Sequence, residues 1–461
     1  MALDFSRSSR FGERLRALVP GGSHTYAKGA DQYPLQAPAV LSHGRGCRVW
    51  DVDDNEFIEY GMGLRAVSLG HAYPEVVDAV RNVLDSGTNF TRPAKIEVEC
   101  AERFAATIAS AEMVKFTKDG STATTAAVKL ARAATGRDVI AICAENPYLS
   151  YDDWFVVTTT LAGGIPSAAS TLTTSFRYND PASVERLFAE HPERIAGVIL
   201  EPSRTDPPQP GFLEGIHRLC TRHGAVLVFD EMITGFRYDR RGAQHLYGVT
   251  PDLSTFGKAL ANGFALSALC GRRDLMRLGS RERPQDDVFL LSTTHGAETT
   301  ALAAAISTME IYEREPVVEH LYNQGDRLAA GLREASAGHG LQDYVAPAGS
   351  SCNLVYSTLD ADLQPSQTFR TLLLQETIRR GVLMPSLVVS YSHDDASIER
   401  TIDAFDGALE VYAKALDGGP ERFLIGPPSR HVFDRRWPPE SDGQPQSLVR
   451  GQPTDEATLL E

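Results

Sequence analysis

Through the middle of this chain, short β-rich runs alternate with amphipathic helical stretches. The runs are Met113–Phe116, Val139–Cys143, Ala196–Leu200, Ala225–Phe229 and Ala265–Cys270; helical spacing marks Thr122–Ala134, Pro181–Ala189 and Phe212–His223. Strands alternating with helices of this length predict a mostly parallel sheet covered on both faces. The flanks read differently. Residues 1–35 are polar and predict a short helix followed by an irregular arm. Strands are expected at Val40–Leu41, Cys47–Asp51 and Phe57–Tyr60, with Asp53-Asp54-Asn55 supporting a tight turn. Residues 74–86 and 95–110 have helical spacing, and Pro74 suits a first turn. Residues 299–338 read as helical throughout. Beyond them, Cys352–Tyr356, Val382–Pro385 and a helix over Ser397–Ala413 suggest a smaller α+β unit. From Asp417 the chain turns to Gly-Pro and Pro-Pro steps and polar residues. That stretch predicts an extended or disordered tail, with Phe423, Phe433 and Trp437 as candidate docking points.

At 461 residues, the length prior is two or three domains. The 60 acidic residues against 45 basic ones, net −15, argue against a nucleic-acid or anionic-membrane partner. No apolar run approaches the length of a membrane span, and the N-terminus lacks the apolar core of a signal peptide. Six cysteines, at 47, 100, 143, 220, 270 and 352, stand alone without a CxxC pair. They predict reduced thiols and a cytoplasmic location.

Three local features carry chemistry. After the run Met113–Phe116, Lys118-Asp119-Gly120-Ser121-Thr122 opens a helix, and free N–H groups, hydroxyls and the helix dipole make such a turn an anion site. The bland alternative is a plain N-cap. The apolar run Ala225–Phe229 ends in Asp230-Glu231, where open α/β sheets bind ligands. The alternative there is an N-cap, or a salt bridge to Arg237. Third, Lys258 lies in an apolar setting between Gly257 and Gly263. A desolvated lysine becomes a nucleophilic amine. A surface lysine is the ordinary alternative, but this chain has only seven lysines against 38 arginines. Together the three features match what pyridoxal phosphate requires: a lysine for its aldehyde, an acid for the pyridinium nitrogen and a cradle for the phosphate.

The run Val226–Arg237, followed by Pro251–Lys258, resembles the class III pyridoxal-phosphate aminotransferases, and among them the glutamate-1-semialdehyde 2,1-aminomutase group. Pro20-Gly21-Gly22, Val49–Asp53, Leu69-Gly70-His71, Lys129–Arg137 and Gly271–Asp274 support the resemblance, which spans roughly residues 10–415. It implies an α/β fold of type I among PLP-dependent transferases. That is a mostly parallel seven-stranded sheet in a large domain, with a smaller α+β domain. The implied segments are 1–73 (arm and small-domain segment), 74–310 (PLP-binding domain), 311–415 (C-terminal small domain) and 416–461 (tail). The resemblance also implies a homodimer with active sites at the interface. It gives Lys258 the covalent bond to the cofactor and the proton shuttling, Asp230 the pyridinium nitrogen, and Met232 and Tyr148 the two ring faces. Glu201 matches the acidic residue of an EP motif, Gly120 and Ser121 hold the phosphate, and Thr293, with Thr294 as its near alternative, reaches the partner's phosphate.

The departures from the family bear on substrate. Tyr148-Leu149-Ser150 replaces an aromatic-His-Gly motif. Lys28 stands where the aminomutase has a carboxylate-gripping arginine, and a lysine offers a point charge without the bidentate fork. Ser386–Ser390 lacks the glutamate of the aminomutase gating loop. The expectation is an aminotransferase acting on an amine donor, such as glutamate, and a carbonyl acceptor without an α-carboxylate, such as a keto sugar. The alternatives are a true 2,1-aminomutase and a non-catalytic relative of the fold.

Overall fold

The computed structural model describes residues 3–282, 288–430 and 432. Near the N-terminus a helix, Ser6–Leu18, precedes three 3-10 turns and three strands: β1 (Leu41–Arg45), β2 (Arg48–Asp51) and β3 (Glu56–Glu59). Asp51 accepts from Asp53 N and Asn55 N, so the expected turn forms as an Asx-type loop.

Seven strands make the large sheet: β4 (Met113–Thr117), β5 (Val139–Cys143), β6 (Thr173–Phe176), β7 (Ile195–Leu200), β8 (Val226–Asp230), β9 (Leu253–Phe256) and β10 (Ser267–Gly271). Their order is β4-β10-β9-β8-β7-β5-β6. All neighbours are parallel except β10, which runs antiparallel to both β4 and β9. Alternation along each strand divides the core. Ile140 and Ile142, with Val226 and Val228, pack under the helix Gly120–Thr135. Val139, Ala141 and Cys143, with Leu227 and Phe229, pack under Pro181–Glu190 and Phe212–His223. A sheet covered twice needs strands apolar on both faces, and these strands are.

Two strands of this sheet escaped the sequence pattern. β6 carries Thr-Thr-Ser-Phe at a sheet edge, and β9 carries Leu-Ser-Thr-Phe with its hydroxyls buried. Neither reads as an apolar run. The stretch 299–338 also differs from expectation. It is two helices, Thr299–Arg314 and Val317–Gly338, because Pro316 disfavours helical geometry at Glu315 and lacks an N–H.

The smaller layer joins β1-β2-β3 to β13 (Val382–Leu383), and β11 (Val345–Ala348) pairs with β12 (Val355–Thr358). The helices Val317–Gly338, Gln367–Arg379 and Asp395–Gly418 share its core. Gln367–Arg379 was not anticipated: it is buried on so much of its surface that helical amphipathicity is lost. Beyond Gly418 the chain lies against it. Gln375 bonds Phe423 O and Ile425 N, and Thr371 bonds Ser429 N. Phe423 packs on the core, while Phe433 and Trp437 lie outside the described residues.

Candidate active site

Parallel strands deliver their carboxyl-terminal residues to one edge of the sheet, and three acid–base groups arrive there together. Asp230 ends β8, Glu201 follows the last residue of β7, and Lys258 comes two residues after β9. Asp230 and Glu201 are both buried. Asp230 Oδ1 accepts from Met232 N at 3.0 Å and from Thr255 Oγ1 at 3.1 Å. Both bonds go to one oxygen, and Oδ2 has no hydrogen bond to a described residue. Burial raises the Asp230 pKa, opposed by Lys258 and these two donors. Glu201 is pushed up to about 7, first by burial and then by Asp230, against the pull of Lys258 and Arg204. Lys258 is held below the ordinary lysine value by burial, although both carboxylates oppose the shift. The result is an amine poised to lose its proton beside two reluctant acids.

Backbone shape and glycines set the frame. Lys258 sits at φ 44°, a left-handed conformation that costs an L-residue about 1–2 kcal/mol. A Cβ on Gly257 would lie 2.6 Å from both Met232 Sδ and Ser267 Oγ, and one on Gly120 would lie 3.0 Å from Met232 Sδ. Met232 is therefore wedged between two glycines, next to Asp230. Gly120 opens the helix Gly120–Thr135, and its N-cap is Asp119, which accepts from Thr122 N at 2.8 Å. The cap is thus neither Ser121 nor Thr122. Ser121 Oγ instead meets Tyr148 OH at 2.9 Å and accepts from Tyr151 N at 3.1 Å. The Tyr148 ring is half exposed and edge-on to Phe155.

The structure thus brings together Asp230, Met232, Glu201 and Lys258, and pairs Ser121 with Tyr148. Thr293 and Thr294 lie exposed on the loop before Thr299–Arg314, and Lys28 is exposed on the turn Tyr26–Lys28. None of these three hydrogen-bonds to the cluster within one described chain. The Arg237 alternative for Asp230 fails. Arg237 is fully buried and donates to Cys352 O and Val389 O at 2.9 and 3.0 Å. Glu231 is structural: it accepts from Ala243 N and Gln244 N. Residues missed from the sequence are Thr255, Asn146 (3.4 Å from Glu201 N) and Arg65, which shares an electrostatic neighbourhood with Lys258 and Glu201.

The chemistry of this set fits pyridoxal phosphate. A spare Asp230 oxygen suits a ring N–H, Met232 between glycines suits a flat ring, and the depressed Lys258 suits an aldehyde. The helix start at Gly120–Ser121 suits a dianion.

Residues 29–404 match the family model for class-III aminotransferases. The chain is 32% identical over 437 residues to a glutamate-1-semialdehyde 2,1-aminomutase of Desulforamulus reducens, covering 90% of this chain and all of that one. Among solved structures it is similar to the FumI protein of Sphingopyxis sp. MTA144 in its PLP internal aldimine form, at TM-score 0.83 and 28% identity, covering 91% of this chain and all of that one. It is also similar to an omega-transaminase from Sphaerobacter thermophilus, at TM-score 0.77 and 25% identity, covering 88% of this chain and 97% of that one.

Proposed function

The chain belongs to the class-III aminotransferases, enzymes of pyridoxal 5′-phosphate, and from that premise we propose that it carries an amino group from a donor such as glutamate to a ketone or aldehyde acceptor. The observation that carries the reading is the buried trio of Lys258, Asp230 and Glu201 at one sheet edge. The cofactor, when bound, supplies an electron sink for the carbon that gains or loses a proton. Lys258 would hold it, and burial, which lowers the proton affinity of its amine, would suit that amine to moving the proton. Asp230 keeps the ring nitrogen charged. Glu201, with a pKa near neutrality, would hold or release a proton beside Asp230 and Lys258. Gly120 and Ser121 receive the phosphate, Met232 and Tyr148 bound the ring, and Thr293 or Thr294 serves the partner's phosphate.

The same proposal makes the enzyme a cytoplasmic homodimer. Large apolar side chains such as Leu18, Tyr26, Phe90 and Phe289 stand exposed on the single chain, as an interface would require. All six cysteines are buried. Among the described residues no helix is long and apolar enough to cross a membrane.

A second reading, the intramolecular 2,1-aminomutase, is favoured by the Desulforamulus relative. Against it stand Lys28 in place of an arginine and the segment Ser386–Ser390. That segment has no acid, and it packs Val388 against Met62 and Val67. The test begins with enzyme loaded as the amine form of the cofactor. Acceptors are screened for return of the aldehyde-form absorbance. Conversion of glutamate semialdehyde to aminolevulinate at a useful rate, with no external donor, would sink the transferase reading.

A further inference from the structure

Residues Met62 to Arg65 form a left-handed turn, with φ of 42°, 57°, 58° and 74°. Only Gly63 takes this shape freely; Met62, Leu64 and Arg65 each bear the steric cost of left-handed backbone for an L-residue. Such strain persists only where the surroundings enforce it. Here Met62 N donates to both oxygens of the buried Glu59 carboxylate, each at 2.8 Å. Arg65 N closes onto Gly61 O at 3.0 Å, and Val67 N onto Met62 O at 3.0 Å. Met62 is fully buried against Val67 and Val388. The turn packs on the turn Lys258–Ala261, itself begun by a left-handed residue. Asn262 ties the two segments, accepting from Leu69 N at 2.9 Å and donating to Gly70 O at 3.1 Å.

This construction delivers one charged group to the site. Arg65 Nε donates to Asn353 Oδ1 at 2.7 Å, and Asn353 is in turn held by Tyr238 OH at 3.3 Å. The two terminal nitrogens of Arg65 make no hydrogen bond to a described residue, and no carboxylate pairs with it among the described residues. The side chain is part-buried, so its open nitrogens stay within reach of a ligand. Desolvation and Arg237 both hold its pKa down, a cost that an anion offsets. A purely structural tie to Asn353 would need one N–H, which an amide side chain provides. A planar fork left open beside a reactive lysine matches a carboxylate.

We propose that Arg65 grips the carboxylate of the amino donor, so that the donor is an amino acid rather than a simple amine. This rests on the aminotransfer reading above. It also moves the carboxylate contact from the position of Lys28, on the arm, to a residue locked against the Lys258 turn.

The test uses holoenzyme and glutarate, an unreactive dicarboxylate, titrated by calorimetry with 1,5-pentanediol as the uncharged control. Wild type binds glutarate and ignores the diol. Arg65→Gln weakens glutarate at least tenfold, Arg65→Lys falls between, and cofactor content and Tm stay unchanged. With glutamate as donor, Arg65→Gln raises KM more than it lowers kcat. Should Arg65→Gln fail to fold, Asn353→Ala, which loosens the fork without removing it, gives a smaller loss of glutarate affinity, about threefold. Unchanged glutarate binding in the variants, a wild type that binds no glutarate, or a loss of cofactor in place of glutarate affinity each overturns the assignment. If glutarate binding depends on Arg65 yet no amino acid gives up its amino group, the aminotransfer reading falls while the carboxylate contact of Arg65 stands.

Discussion

On one side of the site, Asp230, Glu201 and Lys258 sit at or just past the ends of three parallel strands. On the other, Glu59 ends β3, Arg65 ends a left-handed turn, and Asn353 ends a turn of the smaller layer 288 residues from Arg65 in the chain. The first side follows from the fold: any buried parallel strand delivers its last residue to that edge. The second side depends on particular long-range bonds, chiefly Glu59 to Met62 and Arg65 to Asn353. On the proposals above, the strand-end side carries the chemistry and the turn side carries selection among substrates.

The largest effect expected of that division is at Lys258. Lys258→Ala should lower amino transfer by about 10³-fold or more, equivalent to about 4 kcal/mol of barrier, with Tm retained. A single-turnover assay against wild type checks this. If Lys258→Ala retains most of its rate, the strand-end side does not carry the chemistry and the comparison breaks.

Glu201 gives a pH-dependent effect on the same side. Its folded pKa, about 7, lies above the ordinary 4.5. Its stabilising contribution is therefore complete below pH 4.5 and is lost as pH rises through 7. Glu201→Gln escapes that loss. In urea unfolding of the apoprotein, the variant's advantage should grow from pH 5 to pH 8, towards about 3 kcal/mol at most. An advantage that is flat or shrinks with pH would mean that burial does not govern Glu201.

The turn side responds through stability. Glu59→Gln keeps one carbonyl oxygen for Met62 N but removes the charge and replaces the second acceptor with an NH2 group, and should cost about 1–2 kcal/mol by denaturant unfolding. The same change should raise the KM for an amino-acid donor more than it lowers kcat. A loss confined to kcat would place Glu59 with the chemistry instead.

The two sides also differ in how far the sequence reveals them. Asp230 could be read because five apolar residues precede it. Lys258 could be read because lysines are scarce in this chain and Gly257 precedes it, and Gly120–Ser121 because they open a helix. β6 and β9 were hidden because their hydroxyl residues, part-buried in β6 and buried in β9, look like loop residues. Arg65 was hidden for a deeper reason. Met-Gly-Leu-Arg has no local pattern that announces left-handed backbone, and the carboxylate enforcing it belongs to Glu59, at the end of a strand. Asn353 reaches Arg65 only once the smaller layer has closed on the larger one. Propensity and periodicity are local signals, and neither contact is local.

The smallest effect separates enforced backbone from tolerated backbone. At an ordinary helical position Ala is more stable than Gly by about 1 kcal/mol. At Leu64, with φ 58°, the order should reverse. Gly adopts that conformation without steric penalty, while the Cβ of Ala meets the following carbonyl oxygen. Comparing Leu64→Gly with Leu64→Ala cancels the loss of the leucine side chain, which both share. Gly should then be the more stable of the pair by about 1 kcal/mol in denaturant unfolding. If Ala is the more stable, residue 64 relaxes to a right-handed conformation at little cost. The turn would then not be enforced by Glu59, and the bond to Asn353 would be what holds Arg65 beside Lys258.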